Sequence, residues 1–583
     1  MHVCPSKVAR MIHPDTVLHR GRIYTVDACD TVAEAVAIQN GWIVAIGTSQ
    51  DVLALAGPGT RRIDLEGRAV LPGFVDGHPH MDGVGIRFLK PSFDGVRSID
   101  EVLDIVRREV GRRKPGEWII CNPVASEPEF FAFPGVLREG RWPNRYDLDK
   151  VSPSNPVFIE PSGLIAPGIG IANSAAIKIA GITSSTETPP GVEIDKDSAG
   201  EPTGIFRDFN FPKAMPDTYG TIRGKRALFP MIPPMDQDYM NRAVEAGMHA
   251  FNRAGVTAIY EGHGIPRPQQ RAYSELWRQG KLSVRTYFVV AFPQPYFLNV
   301  EQGQALIDET ALYAAGEGFG DDLLRFGGLG YSFDSATAIG ACLMREPYIG
   351  ARGYAWTGVQ HTPDEAFLDG LLRAARANLR VQVQCAGGGA IDKVLSMFEA
   401  INRQIPILGK RWAIEHCQFP SPENMASCRS LGVVATTTTN FLWNYDTVYL
   451  RCFGEEMSAN SIPLREWIDA GVMIAQSTDG RPFDPLFTFW QSLARKGGVT
   501  GHVFGLPHQK ITRAEALRLM TYNAAYAAFW EHRIGSVEVG KLADLAILSE
   551  DIMTIDEDRI PEARVMTTLL AGRPVHDVGL FGS

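Results

Sequence analysis

Eight short apolar runs, separated by stretches long enough to hold helices, constrain this chain more than any other feature. They fall at residues 74–78, 256–260, 284–290, 324–330, 381–384, 412–416, 433–436 and 472–477. Helical stretches fit several of the gaps, at 239–254, 363–377, 390–401 and 463–470. Strands alternating with helices predict a parallel α/β sheet, and eight strands are the number that closes into a barrel. The gap after the first run is different: about 81–238 is far longer than a crossover, with strand-like runs of its own at 118–121 and 157–160. It reads as an insertion lying over the C-terminal face of the barrel, where barrel active sites sit. Its aromatics, Phe88, Phe130, Phe131, Trp142, Tyr146, Phe206 and Phe209, are expected either to line an apolar pocket or to form a satellite core.

The two ends read as β structure. Residues 34–47 are two apolar runs joined by Asn40-Gly41, the strongest short-range signal for a two-residue hairpin. Segments 535–548 and 565–573 look similar, and neither end has the apolar surface to fold well alone, so the two are expected to combine into one small β domain. At 583 residues the chain exceeds what one core usually serves, which suits a large domain plus a smaller one. No apolar run reaches membrane-spanning length, and residues 1–10 lack an apolar signal core, so a cytoplasmic protein is expected. A net charge of -9 without a basic stripe argues against nucleic acid as a partner. The eight cysteines are scattered, with no Cys-x-x-Cys pair, and read as reduced thiols.

Chemistry in such a barrel is built from residues just after the strands. The first strand delivers His78 and His80, which share a face because side chains alternate along extended backbone. The second supplies Glu261 and His263, the fifth Gln384, the sixth Glu415 and His416, the seventh a threonine run at 436–439, and the eighth Asp479. Polar loop residues and Asp-Gly turns are common singly. Their recurrence at successive strand ends points to a metal site. Neither a Gly-x-Ser-x-Gly nucleophile elbow nor a Walker A motif is present.

Residues 67–80, 414–418, 477–482 and 535–544, taken in that order, resemble the amidohydrolase superfamily of metal-dependent hydrolases. Segments 173–174, 200–204 and 522–525 are similar to the branch containing N-substituted formamide deformylases. The resemblance implies a (β/α)8 barrel over 73–532, a composite β-sandwich from 1–72 and 533–583, and divalent metal at the barrel mouth. Two family positions depart from the pattern: the bridging lysine after the fourth strand is Gly330, and the fifth-strand histidine is Gln384. The family's histidine near Asn173 is also missing. These departures leave His78, His80, His416 and Asp479 as ligands of one ion, zinc by choice with manganese or iron as alternatives. His416 and Asp479 are the catalytic candidates, Asp479 as the base that takes a proton from water. Glu261 or His263 would replace a missing ligand or act as acid or base, and Cys385 and Cys417 are weaker ligand candidates. Gln384 and Arg481, or Arg207, would contact substrate.

The expected reaction is hydrolysis of a C–N bond, in an amide, formamide or related group, on a hydrophobic aromatic small molecule. The alternatives are another one-metal reaction of the superfamily (decarboxylation, C–C cleavage or isomerisation) and a binding protein that keeps only the scaffold. A homodimer or higher homo-oligomer is the expected assembly.

Overall fold

The computed structural model describes residues 13–163, 165, 167–188, 192–208, 228–350 and 353–582. Eight parallel strands form the central sheet: β1 (Phe74–Asp76), β2 (Val256–Ile265), β3 (Arg285–Ala291), β4 (Leu324–Ser332), β5 (Val381–Cys385), β6 (Ala413–His416), β7 (Val434–Thr437) and β8 (Ile474–Gln476). They are hydrogen-bonded in that order. The Gly77 N–H donates to the Gln476 carbonyl at 3.3 Å and the Asp479 N–H to the His78 carbonyl at 3.0 Å, bringing the last strand back to the first. The fold is a TIM-type (β/α)8 barrel. The strands are buried on both faces, which is why each reads as a nearly continuous apolar run.

All eight expected strands are present, and the four expected helices appear as Gln237–Arg253, Asp364–Arg376, Gly388–Asn402 and Leu464–Asp469. The largest boundary difference is in β2, which runs on to Ile265. Its register against β3 shifts on the way: Glu261 lies opposite Phe288, but Ile265 lies opposite Val290. Extra residues on one strand of a pair form a bulge, and a bulge re-aims the side chains it carries.

Strands from both ends of the chain share a sheet. One six-stranded sheet runs in the order Arg573–Asp577, Val565–Leu570, Leu545–Leu548, Ala69–Pro72, Arg22–Tyr24, Val32–Ala33. A four-stranded sheet contains the Asn40-Gly41 hairpin, in which both turn residues have the positive φ (50° and 83°) that a type I′ turn requires. Between β1 and β2, a five-stranded sheet (Val192–Lys196, Pro202–Asp208, Gly168–Ala172, Val157–Ile159, Ile119–Cys121) packs with helices such as Ile99–Val110 and Ser174–Ala180.

The aromatics of this insertion mainly fill its own cores, and the pocket reading does not hold for them as a set. Phe130 packs on Phe131 and Trp142 with ring centroids 5.4 and 6.3 Å apart, and Phe206 packs on Phe229 at 5.1 Å. Tyr146 is exposed and donates its hydroxyl to Asp197. Phe88, on the helix that follows His80, meets Phe483 edge-on. Phe209 lies outside the described residues. Asn173 is a structural node: its amide caps the helix Ser174–Ala180 and donates to the carbonyls of Ser152 and Asn155. Among the described residues, no helix is long and apolar enough to cross a membrane.

Candidate metal centre

The end of β1 is locked before it delivers its histidines. Buried Asp76 accepts the N–H groups of His78 and Thr478, both at 3.1 Å, tying the mouth of β1 to that of β8. His78 and His80 follow, with ring centroids 4.5 Å apart. His80 has φ 48° and opens the helix Met81–Phe88, whose first N–H donates to Glu261 at 2.9 Å. A helix start carries unpaired N–H groups and partial positive charge, so the Glu261 carboxylate caps it. Burial, reinforced by nearby Asp82, raises the Glu261 carboxyl to about 7.

Four imidazoles and two carboxylates meet at this mouth. The Asp479 Oδ1 atom lies 3.3 Å from Nε2 of His78 and 3.2 Å from Nε2 of His80. The two oxygens of Glu415 lie 3.1 Å from Nδ1 of His78 and 3.3 Å from Nδ1 of His263. His416 completes the group, 5.3 Å from His78 between ring centroids. Donor atoms of His78, His80 and Asp479 fall within 4.8 Å of one another, and so do those of His78, His263 and His416. Three of these residues, His80, His416 and Asp479, hold positive φ (48°, 69° and 52°). Backbone of that kind is costly for residues other than glycine and gathers at functional sites.

The electrostatics follow from burial and pairing. Burial alone would raise Asp479, but His78 and His80 outweigh it and hold the carboxyl well below its usual range. Glu415 is held low in the same way by His78 and His263. Burial opposes a charge on His78, yet Glu415 and Asp479 raise it well above an ordinary histidine. Burial first, and His78 beside it, lower His416 to about 3, so it stays neutral, whereas His78 would give up its added proton to a bound ion.

The remaining candidates are placed elsewhere or already engaged. The Gln384 amide donates to Asp334 at 3.1 Å and accepts from Ser332 at 2.5 Å; Asp334 also collects the N–H groups of Leu343, Ala386 and Gly387. Arg481 donates to both oxygens of Glu127, at 2.9 and 3.0 Å. Arg207 faces Asp195 in the insertion, 4.0 Å away. Cys385 and Cys417 are buried, burial pushes both thiols up, and neither belongs to a donor cluster. Sequence reasoning placed Glu415 at a strand end but missed its contact with two histidines; it met Asp334 after the fourth strand without assigning it a role, and it missed Glu127. Glu127 carries no local signal, since its role depends on the insertion folding back over Arg481.

Gly330, in the bridging-lysine position, has no room for a side chain. A Cβ there would lie 2.7 Å from the Gly264 nitrogen, 2.8 Å from its Cα and 2.9 Å from the Gly262 carbonyl oxygen. Gly330→Lys is therefore expected to cost about 1–3 kcal/mol by overpacking against fixed backbone. Thermal denaturation checks it, and an unchanged midpoint would show that the β2 backbone gives way.

The donor set suits a divalent ion. Both ring nitrogens of His78 are buried and each faces a carboxylate oxygen, Nδ1 that of Glu415 at 3.1 Å and Nε2 that of Asp479 at 3.3 Å. Every ion-pair partner of Glu415 and Asp479 among the described residues is a histidine. Imidazole and carboxylate donors in this number match catalytic sites for zinc and its neighbours.

A parallel eight-stranded barrel with histidines and acids gathered at the C-terminal ends of its strands is an arrangement suited to a metal-dependent enzyme. The chain belongs to the amidohydrolase family, whose pattern matches residues 61–576. It is 27% identical over 576 residues to the N-substituted formamide deformylase of Arthrobacter pascens, covering 96% of this chain and 97% of that one. It is 26% identical over 579 residues to the protein LONG AFTER FAR-RED 3 of Arabidopsis thaliana, covering 96% and 91%. The crystal structure of an uncharacterized metal-dependent hydrolase from Pyrococcus furiosus matches the fold with a TM-score of 0.70 at 22% identity, over 92% of this chain and 100% of that chain.

Proposed function

We propose that this protein hydrolyses a C–N bond, in an amide, formamide or related group on an apolar aromatic small molecule, using one zinc ion held by His78, His80, His416 and Asp479. The observation that carries the reading is Asp479, ionised and shared between Nε2 of His78 and Nε2 of His80. A divalent ion in this site supplies Lewis acidity toward a carbonyl and toward water. Asp479 then acts as the base: its carboxylate takes a proton from the attacking water as the new C–O bond forms, and returns it to the nitrogen as the C–N bond breaks. Glu261 holds the helix behind His80, so that His80 keeps its place while Asp479 changes protonation. The similarity to a formamide deformylase supports the bond type. Arg481, which a decarboxylase reading would use for a substrate carboxylate, is engaged by Glu127.

Metal analysis of the purified protein, with amine release from a panel of aromatic N-substituted formamides and amides, tests the proposal. About one zinc per chain is expected, with activity lost to a chelator and restored by zinc. Carbon dioxide release without amine release, or a chain that takes up no divalent ion, would overturn it.

A further inference from the structure

His263 enters the cluster from β2, its ring 4.9 Å from that of His78, and the pairing of β2 shifts at that point. The register shift between Glu261 and Ile265 pushes the segment Gly262-His263-Gly264 into the barrel. Both flanking glycines are needed for this. A Cβ on Gly262 would collide with the Gln382 amide and a Glu415 oxygen, and one on Gly264, at φ 89°, would meet the Ala291 Cα at 2.7 Å. The same backbone fills the space beside Gly330. On the other side, Gln384 is turned to Asp334 and Ser332.

We propose that His263 is a ligand of the metal, and that Glu415 is the positioning residue that aims both His78 and His263 at the ion. One carboxylate reaches Nδ1 of both rings, 3.1 Å from His78 and 3.3 Å from His263. With the Nδ1 side of each ring turned to Glu415, the Nε2 atoms are presented on the far side, where Nε2 of His78 already lies against Asp479. Metal-binding histidines commonly use their second nitrogen in this way, and the carboxylate fixes both tautomer and ring orientation. Glu415 is itself anchored from within the barrel. The Gln382 amide donates to its Oε1, and the Tyr260 hydroxyl donates to Gln382, all three residues being buried. The inference rests on the hydrolase reading above, and it adds one ligand and one support to the set named there.

The direct test is anomalous diffraction at the zinc edge from zinc-soaked crystals of the unaltered protein. The expected peak is bonded to His78 and His263, with Glu415 bonded to neither metal nor solvent ion. A peak bonded to His78, His80 or His416 with His263 outside bonding distance overturns this inference alone. No peak at all overturns the hydrolase reading and this one with it. In solution, His263→Gln is expected to lose stoichiometric cobalt binding, and His263→Cys to regain it with a new thiolate-to-cobalt absorption band. Glu415→Gln is expected to weaken metal affinity by about 10–100-fold, while Gln384→Ala keeps the wild-type metal content. Wild-type cobalt affinity and spectrum in both His263→Gln and Glu415→Gln would overturn the assignment.

Discussion

Asp479→Asn is expected to leave the protein folded and metal-loaded while turnover falls by about 10²–10⁴-fold, the usual contribution of a positioned general base. The amide retains an oxygen able to sit between the Nε2 atoms of His78 and His80, where the carboxylate oxygen lies at 3.3 and 3.2 Å. It cannot take a proton from water. The strained backbone at this residue, φ 52°, is one that asparagine tolerates as well as aspartate does, so local geometry is preserved. Measuring kcat beside metal content separates the two effects. Near-wild-type turnover in a fully loaded variant would remove Asp479 as the base.

Asp544→Ala is expected to have the largest effect on stability, about 3–5 kcal/mol, because it strands a buried guanidinium. Asp544 receives two donors from Arg285, Nε at 2.7 Å and Nη2 at 2.9 Å, and the Ala571 N–H at 2.8 Å. The side chains of Arg285 and Asp544 are 4% and 1% exposed. Although burial opposes its charge, Arg285 is held above its ordinary value by Asp544. The pair joins the first residue of β3 to the segment leading into the strand Leu545–Leu548, and so couples the barrel to the terminal sheet. Urea denaturation with an unchanged slope measures the loss; a loss below about 1 kcal/mol would contradict the cost assigned to an unpaired buried charge.

The barrel was legible because its strands, buried on both sides, announce themselves as apolar runs. The histidines after β1 were legible from their His-x-His spacing, but not for the reason expected of an extended strand: β1 ends at Asp76, and His80 reaches the site through a left-handed turn, φ 48°, that opens the next helix. Glu415 was harder to read: next to His416 on a strand, it should face away from it. Positive φ at His416 and Cys417 (69° and 44°) turns the chain at that point, and both side chains reach the same site. His263 could be named as a candidate, but its inward course depends on a bulge in the pairing of β2 with β3, and register is not written in one strand alone. Gln384 shows the same limit, since its partner Asp334 comes from a different strand end. The aromatics of the insertion are hydrophobic residues whose destination, pocket or core, is set by sheets that composition does not reveal.

The strand Ala69–Pro72 leads through Gly73 directly into β1, and within it Leu71 pairs with Ala546. Contacts so distant along the chain form late, since their loop must close before they stabilise anything, and a growing chain presents its early segments first. One side of the strand leading to His78 and His80 is therefore completed by a partner made after all eight barrel strands, the other by Arg22–Tyr24, made before them. Cutting the chain just before residue 545 would leave every barrel strand present, and Arg22–Tyr24 still paired with Ala69–Pro72, but would strip the other edge of the strand that leads to the two histidines.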